Sequence, residues 1–194
     1  MLPIAPMMVE HRIIERMIGL LRDEAQKLQQ GKKPDAVFID TAVDFIRIYA
    51  DATHHGKEEE ILFRELKKKQ LSAEHTAQME DLTHDHVIGR KTTAELVAAK
   101  DRYFQGDVAA LKIIIEKMVF LGDFYPKHIA KEDKNFFVPI MKYFTPAEQQ
   151  AMLIEGQIFD RKMIHKKYDS LVGKIEQEHQ INPPKRQLNW LDYM

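Results

Sequence analysis

Two stretches of the chain repeat a pattern of residues able to hold metal. His54-His55-Gly56-Lys57-Glu58-Glu59-Glu60-Ile61-Leu62-Phe63 and His128-Ile129-Ala130-Lys131-Glu132-Asp133-Lys134-Asn135-Phe136-Phe137 align on their lysines as His-x-x-Lys-Glu-acid-x-x-apolar-Phe. Each places a His and a Glu four residues apart, on one face of a helix. Imidazole nitrogen and carboxylate oxygen together suit first-row transition ions. A single pair of this kind also occurs as an ordinary helical side-chain contact. Two near-identical copies, with further histidines at His11 and His86, point to metal.

The elements that must carry these residues are helical. Met8, Ile14, Ile18 and Leu21 recur at near-helical spacing, predicting a first helix over about 6–30 that Gly31 and Pro34 stop. A second, over about 35–69, uses Phe38, Ala42, Phe45, Ile46 and Tyr49 and leads into the first motif. Gly56 lowers helical propensity by roughly 1 kcal/mol relative to alanine, and is tolerated if a close neighbour needs the space. Ser72 is a good N-cap for a third helix reaching about Gln105, and Gly106-Asp107 make the next turn. The fourth, over about 108–143, uses Ile114, Met118, Leu121 and Tyr125 before the second motif, with Pro126 expected to kink it and Pro139 to end or bend its last turns. Thr145-Pro146-Ala147-Glu148 reads as a capping box with proline at the first helical position, opening a fifth helix to about His179. The tail from Asn182 is expected to be extended, with Trp190, Leu191 and Tyr193 covering the bundle or binding a partner.

The expected fold is all-α: an up-down-up-down four-helix bundle over 1–145, with the C-terminal helix and extended tail of 146–194 packed on the same domain. In that arrangement His11 lies 20 residues before Gly31, His54 lies 20 after Pro34, His86 lies 20 before Gly106 and His128 lies 21 after Asp107. All four then stand about 30 Å from one end of the bundle, with Glu58 and Glu132 one turn beyond their histidines. The spacing therefore predicts His11, His54, Glu58, His86, His128 and Glu132 as ligands of one two-metal site.

Four imidazoles and two carboxylates are ample for two ions. Glu58 and Glu132 can each bridge both, leaving two histidines per metal. Iron or manganese suits this mixed donor set, whereas tetrahedral structural zinc would not need so many ligands. A solvent-derived oxo or hydroxo bridge would bring each ion to about five ligands and leave a position for dioxygen, peroxide or nitric oxide. Among the remaining candidates, Glu15 shares the face of His11 and is read as an outer partner of the site, a supplementary ligand or a salt-bridge partner. Tyr49 and Tyr125 are read as hydrogen-bond donors beside the site or as core. His55 and His84 sit off the motif face, as surface or outer residues. Glu59, Glu60 and Asp133 are read as a solvated face, and His165 and His179 lie on the fifth helix outside the site.

Composition narrows the alternatives. The net charge of -1 gives no basic stripe for nucleic acid, and no run approaches 18 apolar residues, so neither a nucleic-acid partner nor a membrane span is expected. The first ten residues lack the basic leader and long apolar core of a secretory signal, making the cytoplasm the default location. With no cysteine in the chain, disulfide, iron–sulfur and thiol chemistry are excluded and any metal must be held by nitrogen and oxygen.

Glu10-His11, His54-x-x-x-Glu58, His86-Val-Ile-Gly89-Arg90 and His128-x-x-x-Glu132 with Phe137 together resemble the hemerythrin-like, or HHE cation-binding, family over about residues 7–143. The resemblance implies an up-and-down four-helix bundle holding a non-haem di-iron centre on the six residues named above. It also exposes a departure. The oxygen-carrying hemerythrins have a further histidine four residues after the one matching His86, where this chain has Arg90. They use an aspartate five residues after the fourth-helix histidine, where this chain matches with Glu132 at four and has Asp133 at five. The three-plus-two histidine arrangement of reversible oxygen carriage is therefore not expected. Three roles stay open: binding or sensing of a diatomic ligand through a partner protein, a di-iron oxidoreductase with peroxidase-like or nitric-oxide-reducing activity fed by an electron donor, and iron storage, delivery or iron-centre repair.

Overall fold

Helix ends fall where turn chemistry places them. The computed structural model describes residues 1–178, with side chains described for 1–163, Lys167 and Val172. Helix α1 spans Ile4–Gln29. Gly31 then takes φ 94°, a left-handed conformation that glycine adopts without a Cβ clash. The Lys32 N–H turns back to the Lys27 carbonyl at 3.0 Å. Helix α3, Ala73–Phe104, ends the same way, with Gly106 at φ 105° and Asp107 N–H on the Arg102 carbonyl at 3.0 Å.

The starts are equally local. Asp35 caps helix α2, residues 36–66, by accepting from the Val37 and Phe38 N–H groups at 3.0 and 3.2 Å. Ser72 caps α3 through the His75 N–H at 3.3 Å. Helix α5, Pro146–Glu178, opens with the expected capping box: Thr145 N–H donates to Glu148 at 2.8 Å and Glu148 N–H to the Thr145 hydroxyl at 3.3 Å.

Helices α2 and α4 are composite. Helix α2, residues 36–66, begins as Ala36–Phe45, winds as π-helix over Ile46–His55 and Glu58–Phe63, and ends in Arg64–Leu66. Helix α4, residues 110–143, runs α-helical over Ala110–Lys131, π-helical over Glu132–Phe136, and finishes as Phe137–Ile140 and the 3₁₀ turn Met141–Tyr143. Pro126 lies inside the Ala110–Lys131 stretch without ending it. Both repeated motifs thus sit where the helix widens to i→i+5 bonding, a distortion concentrated at functional sites.

Ion pairs show the packing to be antiparallel. Between α1 and α4, Arg12 meets Asp133 and Arg22 meets Asp123; between α3 and α4, Lys131 meets Asp81 and Lys117 meets Glu95. Between α2 and α3, Arg90 meets Asp51 and Lys100 meets Asp40. The fifth helix runs antiparallel along α2, through Lys167–Asp44, Lys57–Asp160, Arg64–Glu155 and Lys69–Glu148. Gly56 is explained here, because a Cβ on it would stand 2.9 Å from the Phe159 ring of α5. The fold is all-α, four bundled helices plus a C-terminal one, and no strand occurs among the described residues. None of the described helices is long and apolar enough to cross a membrane. The tail with Trp190 lies outside the described residues.

The core has two apolar clusters. One gathers Ile14, Ile18, Leu21, Ile39, Ile46, Leu96, Ile114, Met118 and Tyr125 toward the end of the α1–α2 and α3–α4 loops. The other gathers Ile4, Met7, Ile61, Leu62, Phe63, Leu82, Phe136, Phe137 and Met141 at the opposite end. Between them lies a layer of buried polar groups.

Candidate metal centre

That layer consists of His11, His54, His55, Glu58, His86, His128 and Glu132, none more than 2% exposed. The six residues predicted from spacing meet across four helices. Around His11 and His54, whose Nε2 atoms are 2.8 Å apart, lie Glu132 Oε2 at 3.1 Å from His11 and Glu58 Oε1 at 3.6 Å from His54. On the other side Glu58 Oε2 lies 3.1 Å from His86 Nε2, and Glu132 Oε1 lies 3.2 Å from His128 Nε2 and 4.0 Å from His86 Nε2. Each glutamate therefore turns one oxygen to each side. Donors at right angles on one ion, each about 2.1 Å from it, stand about 3.0 Å apart, and opposite donors about 4.2 Å. The observed separations, 2.8 to 4.0 Å, lie within about 0.2 Å of that range.

Two groups of four donors result: His11, His54, Glu58 and Glu132, and His55, Glu58, His86 and His128. The second contains a residue read above as off the motif face. His55 is 2% exposed, its ring stacked 3.9 Å from that of His86. Two physical reasons correct the expectation. Helix α2 touches both α1 and α3, so its inward sector is wide enough for two neighbouring residues, His54 toward α1 and His55 toward α3. The π-helical winding that ends at His55 also turns successive residues through a smaller angle than an α-helix does. The expected two-plus-two division of histidines becomes two-plus-three. The fifth histidine comes from α2, whereas the position of Arg90 on α3 had argued against any such asymmetry.

All five Nδ1 atoms point outward to a carboxylate. His11 donates to Asp133 at 2.8 Å, His54 to Glu10 at 2.9 Å, His55 to Asp51 at 3.1 Å, His86 to Glu59 at 2.6 Å and His128 to Asp85 at 3.2 Å. Each carboxylate is held in turn by a cation. Arg12 binds Asp133, Lys57 binds Glu10, Arg90 binds both Asp51 and Glu59, and Lys131 binds Asp85. Glu59 and Asp133, expected on a solvated face, are thus partners of the site, while Glu60 is exposed as expected. A carboxylate on Nδ1 fixes the tautomer and leaves Nε2 free to face a metal.

The arrangement is pseudo-twofold. Glu10-His11 on α1 corresponds to Asp85-His86 on α3, and the acid in each pair holds the histidine of a repeated motif. The residue after each motif glutamate, Glu59 or Asp133, holds the histidine of the other pair. The motif phenylalanines complete the pattern: Phe137 stacks on His11 with ring centroids 5.6 Å apart, and Phe63 on His86 at 6.1 Å. His55 breaks the symmetry, for its counterpart is the buried Ile129.

The electrostatics call for cations. Glu58 and Glu132 are fully buried, and all four of their oxygens, with His86 and His128 Nε2, lack a hydrogen-bond partner. A buried, uncompensated carboxylate costs several kcal/mol. Without metal, protons on the imidazoles are the remaining compensation. Burial opposes the charged His86, but Glu132, Glu58 and Glu59 outweigh it and push its pKa up to about 11. His128 is likewise raised to about 9, Glu132 overcoming burial. Burial, followed by the neighbouring His86, holds His55 well below its ordinary value. Glu132 sits well below the carboxylate range, because His128 and His11 outweigh its burial. Two divalent ions would satisfy the same orphaned atoms, so the donor set fits a metal pair.

Residues 2–139 match the Hemerythrin HHE cation binding domain. The chain is a member of that family. No curated protein and no solved structure matches it. As a hemerythrin-family chain it carries two His/Glu groups able to bind a pair of metal ions.

The outer candidates divide. Tyr125 is buried and parallel to the His55 ring at 6.4 Å, and burial pushes its phenol pKa up. It lines a cavity of about 100 Å³ with His55, Asp51, Arg90 and Gly89. Tyr49 packs on a neighbour of its own helix. It stacks on Phe45 at 5.0 Å and lines a groove with Glu10 and Asp160. Glu15 pairs with Arg12 at 3.3 Å, the salt-bridge reading of the three. His84 is exposed, the His165 side chain is outside those described, and His179 lies outside the described residues.

Proposed function

We propose that this hemerythrin-family chain is a non-haem di-iron protein that binds or reacts with a small ligand of the dioxygen, nitric oxide or peroxide class. His11, His54, Glu58 and Glu132 would hold one ion, and His55, His86, His128 and the same two glutamates the other. The observation that carries the reading is the unequal histidine count, two on one side and three on the other, around shared, otherwise unpartnered carboxylates. When bound, the iron pair would supply Lewis acidity, one-electron redox change and an exchangeable position, which the smaller histidine count favours at the two-histidine side.

The protein's own part is positioning and exclusion. Five carboxylates hold the imidazoles by Nδ1, so each Nε2 is presented without rearrangement. Phe63, Phe137 and Phe124 cover the faces of His86, His11 and His128, the last at 5.8 Å, and keep water from the layer. A site this enclosed favours ligand binding or turnover over iron delivery, which needs an exposed and labile centre. With no cysteine, the chain offers no thiol or iron–sulfur relay to carry electrons to the site.

The test is anaerobic loading with ferrous ion, metal analysis, then spectra under dioxygen and nitric oxide and turnover with peroxide. Two irons per chain and a spectral change with at least one ligand support the reading. A single zinc per chain, or two irons that respond to none of the three, would overturn it.

A further inference from the structure

The two donor groups differ in what braces them. Outside His55, His86 and His128, the bracing residues Asp51, Glu59, Arg90, Asp85, Lys131 and Asp81 all belong to α2, α3 and α4. The brace on His11, Asp133 with Arg12, stays within α1 and α4. Among the described residues, the brace on His54 alone leaves the four helices. His54 donates to Glu10, Glu10 accepts from Lys57, and the Lys57 ammonium also donates to Asp160 of α5 at 2.6 Å. The pseudo-symmetric Lys131 instead spends its second contact on Asp81 of α3, at 2.7 Å.

Lys57 is 4% exposed, whereas the Lys131 side chain is 41% exposed. An ammonium so removed from water depends on both of its carboxylates, and losing one leaves buried charge uncompensated. The two helices also approach closely at the same level. Phe159, next to Asp160, occupies the space that a Cβ on Gly56 would need, and Gly56 lies between His55 and Lys57. The other ion pairs of α5, Arg64–Glu155 and Lys167–Asp44 to α2 and Lys69–Glu148 to the loop after it, do not involve the site residues.

We infer that Lys57 and Asp160 are positioning residues for His54, and that through them the seating of α5 and the occupancy of the two-histidine metal position stabilise each other. The inference rests on the two-metal reading above. Coupling of this kind is reciprocal. A partner that draws α5 away weakens one ion and spares the other, and loss of that ion loosens α5.

The test uses the full chain, titrated anaerobically with ferrous ion. Wild type and the control Glu95→Ala, which breaks only surface pairs with Lys117 and Lys91, should hold two ions. Asp160→Ala should hold one ion as wild type does and the other about 10-fold more weakly, the low end of the effect of losing a direct partner of a metal-binding histidine, because Glu10 and Lys57 remain. Asp160→Glu should restore it. Hydrogen exchange of the α5 amides over 155–163 gives a readout that needs no metal: Glu10→Gln in the metal-free chain should speed it, and ion loading of wild type should slow it. Unchanged binding in Asp160→Ala, equal weakening of both ions, or unchanged α5 exchange in Glu10→Gln would overturn the coupling. Fewer than two ions on wild type would overturn the two-metal reading instead, and the metal-free exchange experiment would then decide the coupling alone.

Discussion

Arg90→Met tests whether the outer carboxylates orient the metal-facing histidines. The Arg90 guanidinium donates to Asp51 and Glu59, each at 2.8 Å. Those carboxylates hold His55 at 3.1 Å and His86 at 2.6 Å, so one side chain steadies two of the three imidazoles in its group. Methionine keeps an apolar stem and removes both charged contacts. Disturbing an outer partner costs about 10- to 100-fold in metal affinity, and two are disturbed here, so the expected loss is about 100-fold, or roughly 2.7 kcal/mol. The Arg90 side chain is 40% exposed, so its ion pairs contribute at most about 1 kcal/mol to folding. Competition for ferrous ion against a chromophoric chelator measures the first quantity, and urea unfolding of the metal-free chain measures the second. Arg90→Lys should recover only part of the affinity, since a point charge lacks the planar fork that reaches both carboxylates. Wild-type affinity in Arg90→Met, or a stability loss as large as the affinity loss, would refute the reasoning.

Other perturbations separate the remaining parts. Glu132→Gln should lower bound iron from two per chain to below one, because its two oxygens face both donor groups; metal analysis that finds one ion fully retained would show that it serves a single side. Gly56→Ala forces a Cβ to 2.9 Å from Phe159; overpacking of about 1–3 kcal/mol, offset by roughly 1 kcal/mol of regained helix propensity, should leave a net destabilisation of up to about 2 kcal/mol in denaturant unfolding. The double substitution with Phe159→Ala should cost less than the sum of the two, and strict additivity would show that the two do not compete for space. Asp35→Ala removes the acceptor for two N–H groups at the start of α2 and should cost about 1 kcal/mol by the same assay, with metal stoichiometry unchanged.

Much of this was legible in the order of residues. Helix ends depend on chemistry within a few positions, so Gly31, Ser72, Gly106 and Thr145-Pro146-Ala147-Glu148 marked them correctly. The level of His11, His54, His86 and His128 followed from the constant rise of a helix and the antiparallel packing of neighbours. Gly56 announced a close approach, though not that Phe159 makes it.

The sequence by itself thus determined the bundle, its helix boundaries and six residues that meet within it. Tertiary structure decided the fifth histidine, the carboxylates behind all five, and the reach of α5 to Lys57. The reason is that helical periodicity fixes direction only relative to a residue's own axis. Whether His55 faces inward depends on α2 having two neighbours and a widened turn, and whether Glu59 or Asp133 meets water or imidazole depends on which helix lies opposite.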